Sequence, residues 1–410
     1  MSATQAPARS ATGLAVCVGA GTVSSLGTSI QAFALGWQTS GFGAHAAGLV
    51  ATLANLPRVL LMLIGGAAAD RHGIRTVMII CDALMAGTLA VTLLYLSLDH
   101  RIGLGLVITL TLIGSVVSAF YLPASGGFVR LFVAPDRLAR VMARVGSVQQ
   151  IARLIGPSLA AVLVVIVGLR GVVGFNLISF LVVLVALLII RPPLSLQTEG
   201  VREEKMITGI LETFRTAWRT PGMIASLAAL GLVAGSVLPI LYLIVPLDVR
   251  ARHWGVTAAG WLESAWIVGT LGVSLVVAVT GPYRRGGLVV MIGAGTAGLG
   301  GVVMASAPTI PVALGGAVLM GVGTAAFTGH LTPLYLVWTP PELTARFQSL
   351  IVIVQSVAML VANLPYGLVA GAAGPGAAMI TAATICGLAC LVVATNRRLR
   401  TARNAGPAAT

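Results

Sequence analysis

The chain has 410 residues, of which 57% are hydrophobic and 9% are charged, with a mean hydropathy of +1.00 and a formal net charge of +14. A soluble globular protein carries about 25% charged residues, so these values exclude soluble enzymes, nucleic-acid-binding modules and secreted disulfide scaffolds. The uncharged stretches that follow Arg9, Arg285 and Arg346 are each about twice the roughly 20 residues that one transmembrane helix needs. The composition therefore predicts an all-α membrane protein with many spans.

Charge clusters and turn residues divide the chain into twelve predicted transmembrane helices. They lie near residues 12–37, 46–69, 75–97, 104–129, 142–168, 171–190, 222–246, 256–279, 287–306, 310–338, 346–370 and 376–396. The stretch from Arg191 to Arg219 carries an apolar stripe at helical spacing, which predicts an amphipathic helix on the cytoplasmic membrane surface or, alternatively, a partner-docking helix. The predicted domains are a first six-helix bundle at 1–191, this linker at 192–221, and a second bundle with a basic tail at 222–410.

The basic residues indicate the orientation of the predicted helices. Of the 25 Lys and Arg residues, 19 fall on one side of the membrane, four on the other and two within spans. Because basic loops stay inside, both termini are predicted in the cytoplasm of a bacterial cell, with the chain in the cytoplasmic membrane.

The two halves of the chain share a short pattern. Four residues around the fifth predicted helix recur at a constant offset around the eleventh. They are Pro135, Asp136, Arg140 and Gln149, repeated as Pro341, Glu342, Arg346 and Gln355. Equivalent halves with six spans each predict two pseudo-symmetric six-helix bundles, the architecture of a transporter whose halves rock about a central cavity.

The loop between the second and third predicted helices carries the most specific motif. Its residues Gly66, Asp70, Arg71, Gly73 and Arg75 resemble the signature G-x-x-x-D-[RK]-x-G-[RK]-[RK] of the major facilitator superfamily, except that an isoleucine replaces one basic residue. The two glycines would permit a close helix approach and a tight turn, and the arginines would bind lipid phosphates. The resemblance further implies that Asp70 latches the outward-facing state against the start of the eleventh helix.

The fifth predicted helix contains Gly156 followed by Pro157, and this pair resembles the glycine–proline motif of antiporters in the same superfamily. A proline removes a backbone donor, so we expect a helix kink at this pair. Together with Arg153 upstream, the motif most resembles the branch of macrolide-type drug efflux proteins and the enterobactin exporter. Because such kinks also occur in importers, the resemblance favours export without excluding uptake.

Ionisable residues within the predicted helices are candidates for function, because charges facing lipid are costly. They are Arg58, Arg153, Glu263 and Asp82. Glu263 and Arg153 lie at similar depths, and in the superfamily the fifth and eighth spans face each other. We therefore expect Glu263 to couple proton binding to transport, with Arg153 beside it; a permanent ion pair is the alternative. For Asp82, a structural partnership with nearby loop arginines competes with a coupling role.

Polar side chains within the spans form a second group of candidates. Gln31, Asn55, Arg58, Gln149, His330 and Gln355 are expected to line a substrate cavity, although hydrogen bonding between packed helices would also explain the uncharged ones. No cluster of residues predicts a metal site or a cofactor, and the four cysteines lie in apolar runs.

The sequence as a whole predicts a monomeric, proton-coupled exporter of a small amphiphilic compound such as a drug or a natural product. Its expected partners are that small molecule, protons and the lipid bilayer, without nucleic acid. Uptake of a polar small molecule is the alternative within transport. A membrane-embedded enzyme or receptor would need a clustered catalytic set or a soluble domain, and neither is present in the sequence.

Overall fold

A computed structural model of the chain describes residues 6–98, 102–133, 135–191, 215, 218–339 and 344–403. Within them the secondary structure is helical, as predicted. The helices are α1 (Ala6–Ser40), α2 (Ala44–His72), α3 (Ile74–Ser97), α4 (Leu104–Phe128), α5 (Pro135–Ile189), α6 (Met223–Pro239), α7 (Val245–Ala251), α8 (Val256–Thr280), α9 (Gly286–Ser306), α10 (Ile310–Trp338), α11 (Thr344–Ala373), α12 (Pro375–Thr395) and α13 (Arg397–Arg400).

Eleven helical segments in the described ranges are long and apolar enough to cross a membrane. One of them lies in α5, which runs from Pro135 to Ile189 and is interrupted at Gly168, where φ is 62° and ψ is −171°. This break divides α5 into two stretches that correspond to the predicted fifth and sixth spans, which gives the twelve expected helices. The seventh span consists of α6, a π-helical turn at Ile240–Ile244 and α7. The amphipathic helix predicted in the linker lies almost wholly outside the described residues.

The chain forms two units. The first comprises Met1–Gln38 and Leu53–Glu203, and the second comprises Thr39–Thr52 and Glu204–Thr410. The sequence analysis places Thr39–Thr52 in the first bundle, whereas the structure packs this segment within the second unit.

Contacts at the start of α2 explain this assignment. A Cβ atom added to Gly48 would lie 2.9 Å from the Cα of Gly367 on α11, so the two backbones approach as closely as glycine permits. Nearby, the side-chain amide of Asn363 donates to the carbonyl of Ala51 at 3.0 Å, and Arg250 Nε donates to Ser40 Oγ at 3.1 Å. These contacts hold the end of α1 and the start of α2 in the second unit.

In the second unit, α9 and α10 pack backbone to backbone. A Cβ atom added to Gly293 would lie 2.6 Å from the amide nitrogen of Phe327, and one added to Gly300 would lie 2.6 Å from the carbonyl oxygen of Gly316. Small residues at such crossings increase van der Waals contact between helices, which matters in lipid because lipid tails are as apolar as the side chains.

Candidate functional site

The loop between α2 and α3 forms the turn that the motif predicts. Gly73 has a φ of 87°, which an L-residue with a side chain rarely adopts, so the requirement for glycine here is structural. The close helix approach expected at Gly66 occurs one residue earlier. A Cβ atom on Gly65 would lie 2.8 Å from the Cα of Phe120 on α4, whereas one on Gly66 would meet nothing nearer than 4.0 Å.

Arg75, which we expected to bind lipid phosphates, hydrogen-bonds to the end of α5. Its Nε donates to the carbonyl of Leu187 at 2.9 Å, and its terminal Nη2 donates to the carbonyls of Leu187 and Leu188 at 2.7 and 3.2 Å. These carbonyls lie in the last turn of α5, where a helix has unsatisfied acceptors and a negative dipole end. Arg75 therefore caps α5 and ties it to the start of α3.

Asp70 and Arg71 lie exposed in the last turn of α2. The Asp70 carboxylate is therefore exposed, as the predicted latch requires. Arg346, at the start of the eleventh span, has a side chain outside the described set, so the latch stays a prediction.

Gly156 and Pro157 lie buried within α5, and the helix keeps its helical dihedral angles through them. The break in the helical dihedral angles lies at Gly168, and a bend at Pro157 stays a prediction. A Cβ atom on Gly156 would overlap the side chain of Ser29 and lie 3.5 Å from the Cα of that residue. The glycine therefore allows α1 and α5 to pack in direct contact, a role that the sequence motif alone did not reveal.

Gln31 belongs to a buried polar cluster between α1 and the second stretch of α5. The amide of Asn176 donates to Gln31 Oε1 at 2.6 Å, and the hydroxyl of Ser179 donates to Asn176 Oδ1 at 2.9 Å. Because all three side chains are buried and hydrogen-bonded to one another, Gln31 serves helix association in this structure, the alternative that the sequence left open.

Glu263 and Asp82, two of the buried acids, lie in different units. Glu263 on α8 is 3% exposed, and Asp82 on α3 is completely buried. Arg153, the expected partner of Glu263, has its side chain outside the described set, so their pairing stays a prediction. Arg58 is partly buried and follows Pro57 within α2.

Among the described residues, Asp82 has no arginine partner of the kind that the sequence suggested. Neither of its carboxylate oxygens has a hydrogen-bond partner among the described residues. The nearest loop arginine along the helix, Arg75, bonds to α5 instead. The structural partnership with loop arginines is therefore wrong for Arg75, and Asp82 is left as a buried acid in an apolar interface.

The other polar candidates are distributed along several helices. His330 on α10 is 5% exposed and its Nδ1 lies 2.9 Å from the carbonyl of Ala326 one turn earlier. This contact is a hydrogen bond when Nδ1 carries a proton. Asn55, Gln149 and Gln355 are each partly buried. Their lining of a substrate cavity stays a prediction.

Two further arginines cap helix ends on the side opposite to Arg75. The count of basic residues alone did not distinguish them from other loop arginines. Arg170 donates to the carbonyl of Leu96 at the end of α3. Arg252 donates to the carbonyls of Ala305 and Ala307 at the end of α9 and forms a 2.8 Å ion pair with Asp248. Asp248, four residues before Arg252, is the sequence signal that could have identified the capping role of Arg252.

No group of three or more metal-binding side chains occurs among the described residues. The site therefore consists of buried acids, capping arginines and polar side chains within helices. Such an arrangement can bind and release protons.

The chain is similar in sequence to a known protein family and to a curated relative. The profile of the Major Facilitator Superfamily matches residues 17–362. A curated relative, the multidrug efflux pump Tap of Mycolicibacterium fortuitum, is 27% identical over 282 residues, which are 65% of this chain. The chain spans 66% of the length of that relative.

Solved structures match almost the whole chain. A bacterial homologue of the human lysosomal transporter Spinster, in an inward-facing and occupied conformation, has a TM-score of 0.70 at 13% identity and covers 94% of this chain and 96% of its own. A D-xylose–proton symporter has a TM-score of 0.69 at 16% identity and covers 93% of this chain and 98% of its own. At these identities the matches establish the fold alone.

Proposed function

Because the chain belongs to the Major Facilitator Superfamily, and is thus a multi-pass membrane transporter, we propose that it exports a small amphiphilic compound in exchange for protons. The observation that carries this proposal is the similarity to a relative named as a multidrug efflux pump. The buried Gly156–Pro157 pair, which resembles the antiporter motif, supports the same direction of transport. The compound is a drug or a natural product such as a siderophore.

Glu263 is the proposed coupling carboxylate. It lies seven residues into α8, about 11 Å along the helix axis from Val256, and is 3% exposed. A carboxylate at this depth is stabilised either by a proton or by a nearby cation, and Arg153 supplies the cation in the proposed mechanism. Binding of a proton to Glu263 would then release Arg153 and favour the opposite conformation.

The remaining residues have proposed roles in binding and in conformational change. Asp70 latches one conformation at the cytoplasmic edge of the membrane. A substrate cavity is lined by Asn55, Arg58, Gln149, His330 and Gln355. The protein acts as a monomer in the bacterial cytoplasmic membrane with both termini inside, and reporter fusions after Glu203 and Arg403 should both report the cytoplasm.

Proton-driven transport by purified protein in liposomes tests the function. With an imposed pH gradient, the wild type should accumulate an amphiphilic probe, either ethidium or a macrolide, in the direction opposite to proton flow. Glu263→Gln should lose this accumulation because it cannot bind and release a proton, whereas Glu263→Asp keeps an acid and should retain part of it.

Two results would contradict the proposal. Unchanged, pH-dependent accumulation by Glu263→Gln would exclude Glu263 as the coupling residue. Accumulation of the probe in the direction of proton flow would replace export with uptake.

A further inference from the structure

We propose that Asp82 is a second proton-binding residue, located inside the first unit and served by Tyr121. The proposal rests on the proton coupling proposed above and assigns a second proton to a different unit. Asp82 lies in the packed face of α3. Buried residues of this helix form one stripe, and Asp82 is the acid within it. The other members are Val77, Met78, Cys81, Met85, Ala86, Leu89, Thr92 and Leu96.

The two ends of α3 are tied to α5 on either side of Asp82. Arg75 bonds to Leu187 and Leu188 at one end, and Arg170 bonds to Leu96 at the other. In this antiparallel arrangement Asp82 is level with residues 180–184 of α5, which are all apolar. Arg75 is seven residues away along α3, about 10 Å. Both arginines are therefore committed to helix ends and do not neutralise Asp82.

The titratable side chains on the neighbouring parts of α3 and α4 are a thiol and a phenol. Cys81 precedes Asp82 on α3, and Tyr121 lies on α4, which packs against α3. The thiol of Cys81 itself donates to the carbonyl of Val117 on α4 at 3.9 Å, and α1 carries the buried thiol of Cys17. The stretch of α5 level with Asp82 contributes no titratable side chain. Among the described residues, no basic group faces the carboxylate.

Tyr121 occupies a matching depth. It is seven residues before the end of α4 at Phe128, about 10 Å, and Asp82 is eight residues after the start of α3 at Ile74, about 12 Å. Asp82 is completely buried and Tyr121 is partly buried, and we infer that the phenol lies on the path by which water reaches the acid.

These observations indicate which protonation state of Asp82 fits the packed interface between α3 and α4. A charged carboxylate without a hydrogen-bond donor is unfavourable in an apolar interface, and a bound proton removes the charge. When the interface between α3 and α4 loosens, the carboxyl O–H bond breaks, the proton passes to water, and the carboxylate accepts a hydrogen bond from the Tyr121 hydroxyl. Asp82 would thus bind a proton in one conformation and release it in another.

Infrared spectroscopy of the purified full chain in lipid tests this assignment without a transported compound. At about pH 7, water-exposed acids are ionised, so a carbonyl stretch of a protonated carboxyl group reports buried acids. We expect this band in the wild type and the loss of the Asp82 contribution in Asp82→Asn, with any contribution of Glu263 retained. The band should be unchanged in Thr92→Val, which removes another buried polar group of the same stripe. Asp82→Asn matches the shape of the neutral acid, so the fold should be retained.

The same band measures access to the proton. In D₂O the band should shift as the carboxyl proton exchanges, and Tyr121→Phe should slow this shift several-fold. A band that is unchanged in Asp82→Asn would overturn the proposal, as would exchange at the wild-type rate in Tyr121→Phe.

Glu263→Gln separates this proposal from the function on which it rests. If the Asp82 band survives in Glu263→Gln while wild-type liposomes accumulate no probe, the second proton site stands and the proposed transport fails. If Asp82→Asn keeps full pH-driven accumulation of ethidium while Glu263→Gln abolishes it, the transport function stands and the Asp82 proposal fails.

Discussion

Replacement of Arg75 by glutamine should loosen the end of α5. The guanidinium makes three hydrogen bonds to the carbonyls of Leu187 and Leu188, at 2.7 to 3.2 Å. A hydrogen bond to a charged group contributes about 1.5–3 kcal/mol, and partial exposure of Arg75 favours the lower part of this range. We therefore expect Arg75→Gln to lower the free energy of opening the last turn of α5 by about 2 kcal/mol.

Hydrogen–deuterium exchange measures this effect locally. About 1.4 kcal/mol is a factor of ten in an equilibrium constant, so 2 kcal/mol predicts roughly thirtyfold faster exchange. The peptide to monitor covers residues 186–190, where the amide of Ile190 donates to Ala186 at 2.9 Å. Arg71→Gln is the matched control, because Arg71 lies exposed four residues before Arg75, in the last turn of α2. Equal exchange rates in the two variants would refute the capping role.

Three further substitutions test other contacts. Gly48→Val should destabilise the second unit by about 1–3 kcal/mol, because the added side chain would meet Gly367. Gly87 has open space around it, so the control Gly87→Ala should leave thermal unfolding unchanged. Equal stability of the two variants would contradict the close contact. Asn176→Leu should lower stability by about 1–3 kcal/mol, since it leaves Gln31 buried without its donor, and unchanged thermal unfolding would count against the cluster. Asp70→Asn should slow transport strongly while leaving probe affinity within a few-fold, and loss of binding with normal turnover would contradict the latch.

The sequence was sufficient for the helices because long uncharged apolar runs have no other stable form in a bilayer. It also identified the turn at Gly73, where the motif demands a positive φ. It could not identify the acceptor of Arg75, since Leu187 is 112 residues away and a charge count treats every loop arginine alike. The same limitation applies to Arg252 and to Arg170.

Local sequence patterns also did not locate the positions at which helix backbones come into contact. The motif names Gly66, but the backbone contact falls at Gly65, because the contact depends on the rotation of α2 against α4. Gly48 could not be paired with Gly367 from composition, as both lie in glycine- and alanine-rich runs. Contacts of this kind become visible only when the tertiary arrangement is known, and they decide that Thr39–Thr52 belongs to the second unit.

Proton movement driven by a transported compound tests the central proposal most directly. Liposomes containing the purified wild type and an internal pH indicator would receive an outward gradient of ethidium or a macrolide, with no initial pH difference. The proposed exchange predicts that protons move opposite to the compound, and that Glu263→Gln abolishes the pH change. A flux of the compound without any pH change, or with protons moving in the same direction, would contradict proton-coupled export.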